Sequence, residues 1–426
     1  MKTLISITLI LGYLNITFAQ ESTALTLEQL LEIGLENNSD VLVAERSLSA
    51  ARAQKRGSYS RLVPSLRTSL RQNLNPEPYE GQSGESYDPR PYSSGYSVDQ
   101  TLFDGGASWY NARSGAIAYE SAEAGFEGTR LQTLMNIKEA YYNLLKTQEL
   151  LDVAKEALDL SRKQLELVEE RFRLQAVKQT DLLKARVNTG QREAEVHQAQ
   201  QNVQTATTSL QLVLGQDPGR PLQVARDVTE PKTIPDHEVA LQAMLKENPG
   251  IRAQALAVES AWLNAKMQRG VLLPSASLSY SVNSSGVEKM GDLYQDSQSA
   301  TFLNFSVPIF TGMRNTSMYS RMRYTALAEE ERYEGYRRDF KRQLENTLSS
   351  LASLHKIYPV NQEVLASAEA DVRLANEQYN LGAIAILDLL DAQVSLISAR
   401  STLVRTTYDI KISEARLEAL MGIGTE

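Results

Sequence analysis

The sequence predicts a mainly α-helical chain that carries strands of a membrane β-barrel and is built as an internal two-fold repeat. Three observations predict it. The chain is similar to itself at a fixed spacing, it holds proline-free stretches with heptad spacing, and it has four alternating segments of about ten residues, the length of one tilted membrane-spanning strand. Residues 170–187 (ERFRLQAVKQTDLLKARV) align with 377–394 (EQYNLGAIAILDLLDAQV), 207 positions on. Phe103, Asp104 and Gly105 meet Phe310, Thr311 and Gly312 at the same spacing, and Leu214-Gly215 meets Met421-Gly422. Upstream, Leu62 to Ser65 match Leu272 to Ser275 at a spacing of 210. The difference in length therefore falls between these anchors, where a loop is expected, as two equivalent structural halves would leave it.

The chain of 426 residues opens with a segment of secretory type. Lys2 is its charged start, Leu4 to Phe18 its apolar stretch, and cleavage is expected after Ala19, making 1–19 a signal peptide. No later run is long and apolar enough for a transmembrane helix. There is no cysteine, so packing alone must hold a secreted chain together, and no lipid can be carried on an N-terminal Cys. A net charge of −8 argues against a nucleic-acid partner. The first structural repeat is expected over 20–215 and the second over 237–426. Between them 216–236 is a linker, broken by Pro218, Pro221, Pro231 and Pro235.

Each half reads as helix, two strands, long helix, turn, helix. Thr26 and Gln29 form a capping box for a short helix, and a second helix is expected from about Ser39 to Leu62. Strands are expected near 64–74, 93–103, 274–284 and 300–310. In the third, Leu278 and Tyr280 alternate with Ser279 and Ser281; in the fourth, Leu303, Phe305, Val307 and Ile309 alternate with Asn304, Ser306 and Pro308. The apolar face suits lipid and the polar face water, which places Leu278 and Tyr280 outward and Ser279 and Ser281 toward a lumen. Loops are expected at 75–92 and 285–299. Leu151, Ala154, Leu158, Ser161, Leu165, Val168 and Phe172 make a heptad seam. Its last five positions recur as Leu365, Ala368, Val372, Ala375 and Tyr379. The stretch from Gly105 to Leu174 would be about 105 Å of helix, too long for a compact domain, so it must run in a bundle or helical barrel. Four strands cannot close a barrel and an open edge cannot face lipid, so the chain must assemble. Three chains would give twelve strands; two would give eight, too narrow for an open lumen.

The Phe103-Asp104-Gly105-Gly106 stretch with its partner Pro308 to Gly312, the Leu-Gly ends of the halves, and Tyr379 to Ala383 leading to Asp388 and Asp391 are together similar to TolC-type outer-membrane efflux proteins. The resemblance covers nearly the whole mature chain. It implies a homotrimer in outer-membrane lipid, with a twelve-stranded β-barrel continued by a periplasmic α-helical barrel. It also implies docking to a periplasmic membrane-fusion adaptor and, through it, to an inner-membrane pump of RND, ABC or MFS type. The implied function is export of small molecules, or polypeptides in a type I secretion system, with no cofactor and no enzymatic activity. Phe103, Gly105, Gly106, Pro308, Phe310 and Gly312 would mark the junction of barrel and helices. In such proteins a Thr-Asp pair on the first tip and a Tyr and an Arg on the second hold the entrance shut. Thr180, Asp181 and Tyr379 match; the Arg position is Ile384, which leaves Lys178 as a candidate cation. The alternative for Thr180 and Asp181 is capping of the returning helix. Asp388 and Asp391 match paired entrance aspartates, so a trimer would ring its opening with carboxylates able to hold a blocking cation; the alternative is a helix-dipole role.

A passive porin would explain a barrel but not helices of this length, and a secreted coiled-coil scaffold would explain the heptads but not the strands. His197, His237 and His355 have no ligand spacing, so no metal site is expected. Trp109 and Trp262 read as packing anchors near the junction.

Overall fold

The computed structural model describes residues 24–72, 74, 79–80, 86–87, 92–219, 221–226, 230–287, 290 and 297–424. The expected signal peptide lies outside them, as does most of the two loops expected at 75–92 and 285–299. Helices α1 (Leu27–Asn37) and α2 (Ser39–Ser58) lead into strand β1 (Ser65–Gln72). A small hairpin, β2 (Tyr79–Glu80) with β3 (Ser86–Tyr87), precedes β4 (Tyr92–Phe103). Then come α3 (Ala107–Arg173) and α4 (Gln179–Val213). The order recurs as α5 (His237–Glu247), α6 (Pro249–Gly270), β5 (Ser275–Val287), β6 (Ser297–Ser306), α7 (Arg314–Asn380) and α8 (Ile386–Leu420). Helices α3 and α7 each run 67 residues, about 100 Å at ~1.5 Å per residue.

The two halves use the same local devices. Thr26 caps α1 with the reciprocal pair of bonds to Gln29. The turn from α1 to α2 is held by Asn38, whose side chain caps Asp40 N–H and donates to the Val213 carbonyl at 2.7 Å. Asn248 does the same between α5 and α6, capping Gly250 N–H and donating to the Leu420 carbonyl at 3.0 Å. Each amide thus pins a helix turn to the far end of the returning helix. Around these pins sit two cores: Leu30, Ile137, Tyr141, Leu144 and Leu210 in the first half, and Met244, Leu344, Leu351 and Ile410 in the second.

The four long strands make one antiparallel sheet in the order β1-β4-β5-β6. Its rungs keep alternate residues together. Leu66, Val98, Tyr280 and Thr301 share one face; Ser65, Asp99, Ser279 and Phe302 share the other. Strand β6 stops at Ser306, short of the expected residue 310. Pro308 has no N–H to give to a ladder, so Val307 and Ile309 lie beyond the strand. The seam expected along α3 is buried at Leu158, Ser161 and Val168, but Phe172 is 37% exposed.

Neighbours are unevenly shared between the repeats. Helix α3 packs against α2 and α6 in one stretch and against α4 and α8 in another, whereas α7, its mate, packs extensively only against α6 and α8. The exposures follow. Ile117 on α3 is 2% exposed and its mate Tyr324 on α7 is 68%; Ala157 is 6% and its mate Val364 is 50%. One flank of the chain ends in β1, α2 and α4, and the other in β6 and α7. A single chain leaves a long apolar flank of α7 bare and two sheet edges unpaired, which a stable barrel cannot do.

Candidate functional site

The far end of the helices is the point where both long hairpins reverse. Five residues, 174–178, join α3 to α4, and 381–385 join α7 to α8. Both turns need one left-handed residue. Gly382 (φ 75°) supplies it freely, while Gln175 (φ 59°) adopts it at some cost. Beneath the turns, Val168 of α3, Leu182 and Ala185 of α4, Val372, Ala375 and Tyr379 of α7, and Ile386, Leu389 and Leu390 of α8 close into one apolar core.

Tyr379 is 6% exposed, and its hydroxyl makes no hydrogen bond of good geometry within the chain. The Arg171 guanidinium lies over its ring, 5.1 Å from the centroid, and donates to the side-chain oxygen of Asn380 at 3.2 Å. Burial pushes the Tyr379 phenol above its ordinary value, against the pull of the Arg171 charge; Asp181 adds to the rise through space. Within the chain the cation beside Tyr379 is Arg171. Lys178 is exposed and joins no ion pair among the described residues. Ile384 packs on the tip core, so an apolar contact stands where the resemblance led one to expect a charge. The sequence holds no cue for Arg171, which is one of several basic residues on a solvated helix face.

The capping role expected of Thr180 and Asp181 is absent. The helix starts earlier, with Lys178, two residues before Thr180, as N-cap and no side-chain cap bond, which leaves Asp181 in the first turn, where a carboxylate complements the helix dipole. Asp388 does take a capping role, accepting from the Ala385 N–H at 3.1 Å. Asp391 accepts no bond from its own helix start. Both carboxylates lie on an exposed stripe with Leu387, Val394 and Ser395, while Leu389, Leu390, Ala392 and Gln393 turn inward.

At the opposite end, the strand-to-helix junction is tight in the first half and bare in the second. Gly105 (φ 66°) comes so close to the α6 end that a Cβ there would sit 2.3 Å from the Gly270 carbonyl oxygen and 2.9 Å from Leu273. Gly106 is the left-handed N-cap of α3, and the Asp104 carboxylate accepts the Ser108 N–H at 3.0 Å. Around Gly312 (φ 60°) nothing lies within 4 Å of a built Cβ. Pro308 is half-buried, Phe103 is 51% exposed and Phe310 79%. The bareness of Gly312 has the same origin as that of α7: its mate is covered by α6, and no equivalent element of this chain reaches it.

Trp262 bridges α6 to Glu330 of α7 at 2.7 Å, but Trp109 is 59% exposed and meets Tyr110 in a T-shaped contact. His237 pairs with Glu345 at 2.6 Å. Among the described residues no group of three or more metal-binding side chains comes together. A hollow of about 990 Å³ is lined by Leu131, Tyr336 and Phe340 together with Gln132, Asn136 and Gln343.

Residues 30–216 and 240–423 match the family model described as outer membrane efflux protein. The probable outer membrane lipoprotein SilC of Salmonella typhimurium is 22% identical over 93% of this chain and 85% of its own length. The outer membrane protein TolC of Vibrio cholerae is 22% identical over 95% of this chain and 93% of its own. Among solved structures, the outer membrane channel CmeC of Campylobacter jejuni superposes with a TM-score of 0.84 at 20% identity, covering 94% of this chain and 86% of that one. The outer membrane protein VceC of Vibrio cholerae superposes at 0.81 and 20%, covering 94% and 97%. The match spans both halves, both long hairpins and the four-stranded sheet: the chain belongs to the outer membrane efflux protein family and is an outer-membrane channel protein, not an enzyme.

Proposed function

We propose that three copies of this chain close into one tunnel, a twelve-stranded barrel in the outer membrane continued by a helical barrel in the periplasm. Its two repeats, 20–215 and 237–426 about the linker 216–236, are the alternating staves. The observation that carries this reading is the mismatch between α3 and α7. The α3–α6 and α3–α8 packing within one chain has its counterpart in α7 against α2 and α4 of the next copy. Such head-to-tail contacts form a closed ring only when the rotation closes. Efflux through the tunnel draws on a periplasmic adaptor that docks on the helical hairpins and an inner-membrane pump of RND, ABC or MFS type behind it. Small molecules are the cargo this reading favours.

The tip is the entrance, and it has two devices. Arg171, Tyr379 and Asn380, with Asp181 nearby, tie the first hairpin to the second. Asp388 and Asp391 lie on the exposed stripe of α8, and three copies bring six carboxylates to the narrowest opening. Crowded charge in a constriction attracts cations and holds multivalent ones. The Asp388 bond to the Ala385 N–H accounts for one carboxylate locally but not for Asp391. The test is planar-bilayer conductance of Asp388→Ala with Asp391→Ala. Cation selectivity, and block by trivalent cations added from the periplasmic side, should both fall. If both survive the double substitution, these carboxylates do not line the entrance.

A further inference from the structure

The described parts of the four long strands hold three charged residues, Arg67, Arg71 and Asp99. All three fall on the face shared with Ser65, Ser97, Ser279 and Ser281. The opposite face, with Leu66, Val98, Leu278 and Tyr280, carries none. An arginine facing hydrocarbon is strongly disfavoured, so the charged face is the lumen wall. That wall is basic, with two guanidiniums against one carboxylate per chain.

The register shows which arginine is left uncompensated. Asp99 stands level with Ser65, two residues from Arg67 and six from Arg71 along β1. At ~3.3 Å per residue these are steps of about 7 Å and about 20 Å. The first is within reach of a long side chain; the second is more than twice the ~8 Å screening length at physiological salt. Arg71 stands opposite Ser93 on β4. On its other side, carrying the β4–β5 register through the repeat sets β1 against β6 of the next copy, with Asn304 opposite Arg71. The same register brings Leu70 against Phe305, so the apolar faces of the two edges coincide. Arg71 is thus flanked by a hydroxyl and an amide, with no carboxylate from the described parts of the four long strands at its level.

We propose that Arg71 from three copies forms a cationic ring in the barrel lumen that transiently holds anionic groups of departing solutes: carboxylate, sulfonate or phosphate. Guanidinium offers a rigid pair of donors to such oxyanions. The neighbouring serine and asparagine add neutral hydrogen bonds without cancelling the charge. The tunnel then has opposite charge at its two ends, acidic at the tip and basic in the barrel. This assignment rests on the tunnel reading above.

The experiment is block of single channels in a planar bilayer by tripolyphosphate added on the barrel side. The intact protein should be blocked, Arg71→Ser should need at least about tenfold more tripolyphosphate, and Arg71→Lys, which keeps the charge but not the paired donors, should fall between the two. Arg67→Ser should change the blocking concentration less than Arg71→Ser, because Asp99 already offsets Arg67. Asp388→Ala with Asp391→Ala should keep the block. Open channels whose block is the same in Arg71→Ser as in the intact protein would overturn the ring while leaving the tunnel standing. Failure to form channels at all would overturn both.

Discussion

The guanidinium of Arg171, in the last turn of α3, lies 5.1 Å from the ring centroid of Tyr379, in the last turn of α7. This contact joins the hairpin tip of the first repeat to that of the second. The ring of Tyr379 carries the contact; its hydroxyl feels the Arg171 charge but makes no hydrogen bond of good geometry within the chain. A cation over a partly desolvated ring contributes about 0.5–2 kcal/mol, and three copies would apply it three times around one opening.

Replacing the cation should therefore loosen the entrance. Arg171→Gln is expected to raise single-channel conductance, and Tyr379→Leu to act in the same direction. Tyr379→Phe keeps the ring and should stay near the intact protein. If Tyr379→Phe opened the channel as far as Arg171→Gln, the hydroxyl and not the ring would be the latch.

The strand faces make a second prediction. Leu278 is 40% exposed and Tyr280 44%, both on the uncharged face. Arg at Leu278 should cost about 2–4 kcal/mol near the midplane and reduce the yield of assembled protein in outer membranes. Arg at Ser279 should be tolerated. Greater sensitivity at Ser279 would mean that the lipid and lumen faces are exchanged.

Acid should release the linker from the helices. Glu418 on α8 pairs with Lys138 of α3 at 2.7 Å and with Lys232 of the linker at 2.6 Å. Burial alone would raise its pKa, but the two ammoniums outweigh burial and hold the carboxyl below the usual range. A depressed pKa contributes stability above the unfolded value of about 4.3, and that contribution is lost as pH falls through the lower folded value. Limited proteolysis should show the linker cut faster as pH drops through that window. Glu418→Gln should be cut at a rate that no longer changes there.

Much of this architecture was legible because repetition and periodicity are sequence properties. The 207-residue spacing, the heptads from Leu151 and the alternation about Leu278 all follow from which face each side chain must bury. What was hidden depends on neighbours distant in sequence. Arg171 has no local mark that separates it from Arg173, since only the fold brings Asn380 and Tyr379 beneath it. Phe172 and Tyr379 hold the same place in the repeat, yet one is exposed and the other buried, because the seam is covered within the chain on one side only. The end of β6 was misplaced because its apolar alternation continues through Pro308, which cannot donate to the ladder. The start of α4 was misplaced because Thr180 and Asp181 are good capping residues, and the turn length set by Gln175 overrode that preference.

As one third of a closed tunnel, a single chain leaves β1 and β6 unpaired and the α7 flank bare until copies meet. The most direct measurement is the mass of the detergent-solubilised protein with the detergent contribution subtracted. Three chains per particle are expected, with no stable folded monomer on dilution. A monodisperse, folded single chain, or a stable particle of two, would contradict it.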